Sequence, residues 1–358
     1  MSRTFLIAEV GVNHNGDLNK ALELIDIASE SGADAVKFQT FISEDLSSKY
    51  AQKASYQQSN AKRNESQLEM LKKLELSKSH YHSIIARCME RNIKFMSTAF
   101  DSESLKFLTQ ELKVEILKIP SGEITNGPFL FEHARTGLDI ILSSGMSSTK
   151  EVEDALAFIC FGYLNPKKHL NPEDVFRCYQ TEEGKSFLKD KVVILHCTSQ
   201  YPAPIEDINL NALKTLKRKF GLRIGYSDHS LGFLVSSNAI SLGAEVIEKH
   251  ITLDKSLPGP DHSASLEPNE FKEFVDVIRR TELFLGDGIK KITSSELEIK
   301  DVARKSIVAN QPIKKGEIFT EENLTIKRPG TGITPMKIWD LYGIASPKDF
   351  LKDEIIEI

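Results

Sequence analysis

Two lysines stand in runs that are otherwise apolar: Lys37 in AVKFQT and Lys118 in ILKIPSGE. Lysine is rarely buried without a counter-charge, because stripping water from an ammonium group is costly. One reading pairs these lysines with strand-end carboxylates such as Glu9 and Glu123. The other turns both ammonium groups toward a bound anion, with the hydroxyls of Thr98, Ser121, Ser143 and Ser227 as further donors. A phosphate, or a phosphate and a carboxylate on one molecule, needs that convergence of charge and hydrogen-bond donors.

Two histidines form a second set. In GYSDHS, Ser227 and His229 are two apart and share one face of a strand; in IEKH, Glu248 and His250 do the same. On neighbouring strands, the imidazoles of His229 and His250 come within reach of one ion. A single histidine of this kind is more often hydrogen-bonded core, but two at adjoining strand ends suit a metal. With two imidazoles and no thiol beside them, a closed structural zinc site fits poorly. A water-rich Mn2+ or Mg2+ acting as a Lewis acid on a substrate oxygen fits better. The carboxylates of Glu9 and Glu123 would serve proton transfer or sugar hydroxyls, or simply pair with the lysines. His14 in NHNG and His262 in GPDHS lie in Gly-rich turns, where a loop-ordering hydrogen bond is the expected role.

The elements that must position these groups alternate along residues 5–288. Short apolar runs fall at 5–9, 35–39, 93–98, 116–121, 139–144, 192–198, 223–229 and 245–250, separated by amphipathic helical periods. Strands that are apolar throughout belong to a sheet buried on both faces, with helices outside it. Eight strand-helix repeats predict an α/β fold of the (β/α)8 TIM-barrel type. The competing doubly wound open sheet would carry GxGxxG at its first turn, and GVNHNG is not that motif. The runs begin apolar and end polar or ionisable. Since the C-terminal strand ends of a barrel form its catalytic face, this asymmetry predicts a site there.

Two connections are long. Residues 41–79 follow the second strand and read as a lid or substrate-contacting excursion at the catalytic mouth; residues 163–190 lead into the sixth and read as surface decoration or a subunit contact. The barrel is expected over residues 1–288. Residues 289–358 are expected to hold a charged helical linker, SSELEIKDVARK, and a small β-rich module that has little core of its own and docks on a neighbour.

The chain has 358 residues with 40% hydrophobic and 27% charged, which excludes a disordered tail protein. A net charge of −5 argues against nucleic acid as a partner. Cys88, Cys160, Cys178 and Cys197 show no CxxC spacing and are expected to be reduced cytosolic thiols. The first apolar run, Phe5 to Ala8, is too short for a signal peptide, and no run spans a membrane. A cytoplasmic enzyme is the expectation.

Taken together, IAEVGVNHNG, AVKFQT, MSTAFD, KIPSGE, ILSSGM, LHCTSQYP, GYSDHS, EKH with GPDHSASLEP, and KRPG resemble the sialic acid synthase family, in order and over nearly the whole chain. The resemblance implies a (β/α)8 barrel followed by an antifreeze-like (SAF) domain, in a homodimer whose small domains swap to cap the partner's site. It implies a metal-dependent condensation of phosphoenolpyruvate with an N-acetylmannosamine-type sugar, giving a nine-carbon sialic acid with loss of phosphate by C–O cleavage. A legionaminate synthase using 2,4-diacetamido-2,4,6-trideoxymannose is the alternative. A phosphorylated acceptor would need extra basic residues that the mouth segments do not show. By position, Lys37, Thr98, Lys118, Ser121, Ser143 and Ser227 match phosphoenolpyruvate contacts, and His229 and His250 match ligands of Mn2+ or Mg2+. Glu9, Gln39, Glu123, Tyr201 and Asp261 match sugar and catalytic contacts, and Arg328 matches an arginine reaching from the partner chain. Ser199 stands where the best-described branch has an asparagine near the phosphate, and Val302 where it has a phenylalanine at the N-acyl group. Asn60 and Asn64 both lie near the place of a lid asparagine.

Overall fold

The eight apolar runs close on one another because each must hide both faces. In a computed structural model, which describes residues 3–54 and 66–358, they form a closed parallel barrel in sequence order. Its strands are β1 (Phe5–Gly11), β2 (Ala35–Thr40), β3 (Lys94–Ala99), β4 (Ile116–Ile119), β5 (Asp139–Ser143), β6 (Val192–His196), β7 (Arg223–Asp228) and β8 (Val246–His250). The open doubly wound alternative is excluded by the β1–β8 pairing, which sets Glu9 beside His250.

Alternation along the strands divides the barrel interior into two layers. Ile7, Ala35, Met96, Ile141, Leu195 and Val246 pack into an apolar floor, joined by Val193 and flanked by Phe5 and Ile116. Two residues further along, the inward side chains are polar on seven of the eight strands: Glu9, Lys37, Thr98, Lys118, Ser143, Ser227 and Glu248, with Cys197 following β6. Gly225 holds the floor position of β7, where a Cβ would lie 2.5 Å from Leu195 Cδ2 and 2.5 Å from the Val246 carbonyl oxygen. The outward faces carry the main core, including Phe38, Leu117, Leu142, Ile194, Tyr226 and Ile247, against the surrounding helices.

Several strands stop earlier than the apolar runs suggest. β4 ends at Ile119, because Pro120 turns the chain into a 3-10 segment, Ser121–Glu123; Cys197 and Thr198 likewise lie beyond β6. In the excursion after β2, helix Gln67–Leu74 opens on a Ser66–Glu69 capping box and packs Met70 and Leu74 against Val12 and Phe41. Asn60 and Asn64 lie outside the described residues. Segment 163–190 contains helices Pro172–Tyr179 and Glu182–Lys191; the first packs Val175 on Ala157 and Phe161 of helix Thr149–Leu164.

The chain divides into compact units Met1–Gly286 and Asp287–Ile358. The second pairs β9 (Ser306–Ala309) with β10 (Leu324–Lys327) in antiparallel fashion. Contrary to expectation it has a core of its own, built from Ile307, Ile313, Phe319, Leu324, Leu341, Phe350 and Ile356. Its short bridges, Ile313 to Phe350 and Ile318 to Ala345, fold the strand-poor chain around those side chains. Among the described residues no helix is long and apolar enough to cross a membrane.

Candidate active site

The polar layer is a connected cluster. Lys37 Nζ lies 2.6 Å from Glu9 Oε2, 3.1 Å from Thr98 Oγ1 and 3.6 Å from Glu248 Oε2. Lys118 Nζ donates to Ser143 Oγ at 2.7 Å and lies 3.8 Å from Glu248 Oε1, which also accepts from Ser227 Oγ at 2.8 Å. Both lysines are 3% exposed, so these charges interact through little water. The lysines face both carboxylates and hydroxyls, which joins the two sequence-based readings: Glu9 is the resting partner of Lys37, within a pocket of donors.

The charges push one another in opposite directions. Burial raises the Glu9 carboxyl, to about 7, against the pull of Lys37. Burial also opposes ionisation of Glu248, but Lys118 and Lys37 outweigh it and hold this carboxyl at about 2. Burial lowers Lys118, whereas in Lys37 the fields of Glu248 and Glu9 overcome burial and raise it. Asp261, buried in the loop after β8, is pushed up by burial to about 6, with Lys37 opposing.

Hydroxyls gather beside Lys118. Ser121 Oγ accepts from the Gly145 backbone N–H at 3.0 Å and lies 3.2 Å from Cys197 Sγ. A Cβ on Gly145 would come within 2.2 Å of Ser199 Oγ and 2.7 Å of Ser121 Oγ, so only glycine leaves these hydroxyls room. Ser121 and Ser199 therefore belong to one cradle, although neither is on a strand.

The two imidazoles meet at the rim of β7 and β8, with ring centroids 5.7 Å apart. His229 Nδ1 donates to the Thr198 carbonyl at 2.7 Å, which leaves Nε2 as the lone-pair nitrogen, 3.3 Å from Ser227 Oγ. Tyr201 stacks on His229 at 4.1 Å and meets the His250 ring edge-on at 5.6 Å. Burial lowers His229 to about 4 and His250 well below its usual range, so both rings are neutral at pH 7. His250 Nδ1 is buried without a hydrogen-bond partner. Neutral rings, one with an orphaned nitrogen, are in the protonation state in which imidazole can ligate a divalent cation. Among the described residues no group of three or more His, Cys, Asp or Glu converges in a metal-binding arrangement, so water and substrate would complete the shell.

Gly11 lies between the two sets: a Cβ there would be 3.1 Å from Glu9 Oε1, 3.4 Å from Gln39 Nε2 and 3.4 Å from His250 Cε1. Gln39 also lies 3.4 Å from Glu9 Oε1. Glu123 does not take the lysine-pairing role: it accepts from Asn126 Nδ2 at 2.7 Å, and among the described residues no ion pair joins it to Lys118. Its turn is local, and the side chain three residues on reaches it first. Arg328 lies in the second unit, where its Nε donates to the Ala303 carbonyl at 3.0 Å. Val302 is exposed on helix Ser294–Ala303. His14 and His262 order their loops: His14 Nδ1 accepts from Gly16 N at 2.9 Å, and His262 Nδ1 lies 2.7 Å from Thr252 Oγ1.

Glu248 and Cys197 are members of the cluster that the residue types did not single out as site groups. Glu248 was legible as sharing a face with His250; its place between two lysines required the barrel to close.

Residues 24–290 match the NeuB family and residues 304–357 the SAF domain. The N,N'-diacetyllegionaminic acid synthase of Campylobacter jejuni is 47% identical over 356 residues, 99% of this chain and 99% of that protein. The enzyme of the same name from Legionella pneumophila is 48% identical over 339 residues, 95% and 89% of the two chains. Among solved structures, the N-acetylneuraminic acid synthetase of Leptospira borgpetersenii, in complex with citrate, is 35% identical with a TM-score of 0.66, covering 83% of this chain and 90% of that one. Barrel, site layer, C-terminal module and these matches agree, and the chain belongs to the NeuB family.

Proposed function

We propose that this protein condenses phosphoenolpyruvate with an N-acylated mannosamine-type sugar. The observation that carries the reading is the pair of buried ammonium groups, Lys37 and Lys118, set with Thr98, Ser143 and Ser227 on one layer above a sealed apolar floor. An anion bearing a carboxylate and a phosphate fits that layer. Lys37 and Thr98 would hold the carboxylate; Lys118, Ser121, Ser143, Ser199 and Ser227 would hold the phosphate. C3 of the enol attacks the C1 aldehyde of the open-chain sugar, water adds at C2, and phosphate leaves as its C–O bond breaks. The product is a nine-carbon 2-keto acid. Glu9, whose carboxyl burial pushes upward against the pull of Lys37, would pass a proton to the oxygen at C1, while Gln39, Glu123, Tyr201 and Asp261 would orient the sugar. His229 and His250 would hold Mn2+ or Mg2+, which supplies Lewis acidity toward the aldehyde oxygen.

Within the acceptor class, 2,4-diacetamido-2,4,6-trideoxymannose is favoured over N-acetylmannosamine. Two relatives named for the legionaminic product are 47% and 48% identical, against 35% for the structure named for the N-acetylneuraminic one. The reaction is proposed to run in the cytoplasm, where Cys88, Cys160, Cys178 and Cys197 would stay reduced. Mass spectrometry of products from both sugars, with inorganic phosphate measured in parallel, tests the reading. Phosphate should appear only when donor and acceptor are both present, and the diacetamido sugar should have the higher kcat/KM. Phosphate release that ignores the acceptor would refute the condensation; a preference for N-acetylmannosamine would reverse only the acceptor.

The unit is further proposed to act as a domain-swapped homodimer in which Arg328 serves the partner's barrel. Mixing inactive Lys118→Met and Arg328→Ala subunits should then restore about a quarter of wild-type activity, since one site of each mixed dimer is intact. No recovery would place Arg328 in its own barrel's site, and an Arg328→Ala protein active by itself would place it in none.

A further inference from the structure

The outward faces of the last two barrel strands carry a second buried ion pair that the condensation does not use. Asp228 and Lys249 alternate with the inward residues Ser227, His229, Glu248 and His250, so the pleat turns them away from the mouth. Their neighbours on that face, Tyr226 and Ile247, belong to the main apolar core. Asp228 and Lys249 are each 0% exposed, and Lys249 Nζ lies 3.4 Å from Asp228 Oδ1. Asp228 accepts from the backbone N–H of Ser230 at 2.9 Å, from the Ser230 hydroxyl at 2.6 Å and from the Ser236 hydroxyl at 2.5 Å. Lys249 donates to the Ser230 carbonyl at 2.5 Å. Both carboxylate oxygens and the ammonium group thus have partners.

A buried pair of this kind adds little stability over well-packed apolar side chains of the same size. Its position supplies the reason for it. Asp228 precedes His229, Ser230 follows it, and Lys249 precedes His250. The hydrogen bonds therefore clamp the chain on both sides of His229 to the strand that bears His250. Through Ser236 the same carboxylate ties the rim to helix Leu234–Ser241. Beyond the end of β7, His229 is also tied by the Ala203 N–H to its carbonyl at 2.9 Å and by its ring to the Thr198 carbonyl, with Tyr201 stacked on that ring.

We propose that Asp228 and Lys249 are positioning residues whose buried network sets the separation of the His229 and His250 imidazoles, and with it the geometry in which they take a divalent cation. The inference rests on the assignment of these imidazoles as metal ligands. It predicts sensitivity to hydrogen-bonding pattern, since the clamp acts through where it pins the backbone.

The test is titration of the full-length protein with Mn2+, following free ion by electron paramagnetic resonance, well below the measured Tm of each variant. Lys249→Met should weaken Mn2+ binding about 10–100-fold, the usual cost of removing an outer-shell support. A residue that only stabilised the fold would lower Tm and leave the affinity of the folded protein unchanged. The double variant Asp228→Asn with Lys249→Gln removes both charges but keeps an oxygen that accepts from Ser230 and an amide donor from the neighbouring strand, with the Ser236 hydroxyl turning to accept, and should bind within about threefold of wild type. Where Lys249→Met fails to fold, Ser236→Ala removes only the helix tether and should still weaken binding several-fold. Folded Lys249→Met or Ser236→Ala binding as wild type does would overturn the proposal. His250→Ala separates the two levels. If it binds Mn2+ like wild type, the ligand assignment fails and the positioning role with it; if it does not while Lys249→Met does, the positioning role alone fails.

Discussion

The lower and upper halves of the barrel interior are built by the same strands and differ by two residues of register. Below, Ile7, Ala35, Met96 and Val246 make a floor with no polar side chain; above, Glu9, Lys37, Thr98 and Glu248 make a layer with hardly an apolar one. Each half depends on the other. The floor excludes water from beneath, which strengthens every charge interaction above it. The polar layer in turn holds its charges by mutual pairing, so the floor is not asked to solvate them. The lesson is that stability and chemistry are separated along a strand by the pleat, at a spacing of one side-chain repeat.

The largest expected effect tests the upper layer. Lys118→Met replaces a buried ammonium with an apolar side chain of similar length, leaving Glu248 with Lys37 and Ser227 as partners. Turnover should fall by about 10^3-fold or more, as for loss of a charge-stabilising donor, and Tm should fall with it, because Lys37 alone is left to balance the buried Glu9 and Glu248. Steady-state phosphate release and thermal melting measure the two together. A variant that loses Tm but keeps kcat would erase the contrast between the layers.

The reciprocal substitution lies two residues lower, on β3. Met96 is fully buried in the floor beneath Thr98. Met96→Ala should cost about 3 kcal/mol of stability through lost transfer energy and the cavity it opens, with kcat of the folded protein within about threefold of wild type. Denaturant midpoints against kcat at low temperature would show this. A catalytic collapse without loss of stability would mean that the floor also shapes the reacting groups.

Much of the upper layer was legible before the fold because the signal was local. A lysine inside an apolar run is visible in AVKFQT and ILKIPS, and a two-residue step from Ser227 to His229 places them on one face. The barrel itself followed from counting apolar runs and noting that they end polar. What was not legible depended on closure or on turns. Glu248 acquires its meaning from two lysines on β2 and β4. Ser199 joins Ser121 only through the tight approach of Gly145. Of the two roles read for Glu123, pairing with a lysine is not the one its turn provides, since Asn126 reaches it first. The C-terminal module was judged by its length to lack a core, and short bridges between distant residues gave it one.

The smallest effect separates the buried imidazoles at the barrel mouth from one that lies outside the barrel. His133 lies in helix Gly127–Arg135, outside the barrel, fully buried, with Nδ1 2.8 Å from the Phe129 carbonyl and Nε2 without a partner. Burial lowers it to about 4 from its usual 6.5. Below pH 6.5 the unfolded chain therefore takes up a proton that the folded chain refuses, so stability falls as pH drops through the window from 6.5 to about 4. At pH 5 this one residue costs about 2 kcal/mol relative to pH 7, at roughly 1.4 kcal/mol per pH unit. His133→Leu removes the term, so the gap between wild type and variant in chemical denaturation should shift by about that amount between pH 7 and pH 5. His14 is lowered the same way and titrates in both proteins, so it cancels from the difference. Turnover at pH 7 should stay unchanged, because helix Gly127–Arg135 contributes no group to the polar layer. A shift in the pH dependence of kcat would instead tie this distant ring to the mouth, and the division between structural and chemical burial would have to be redrawn.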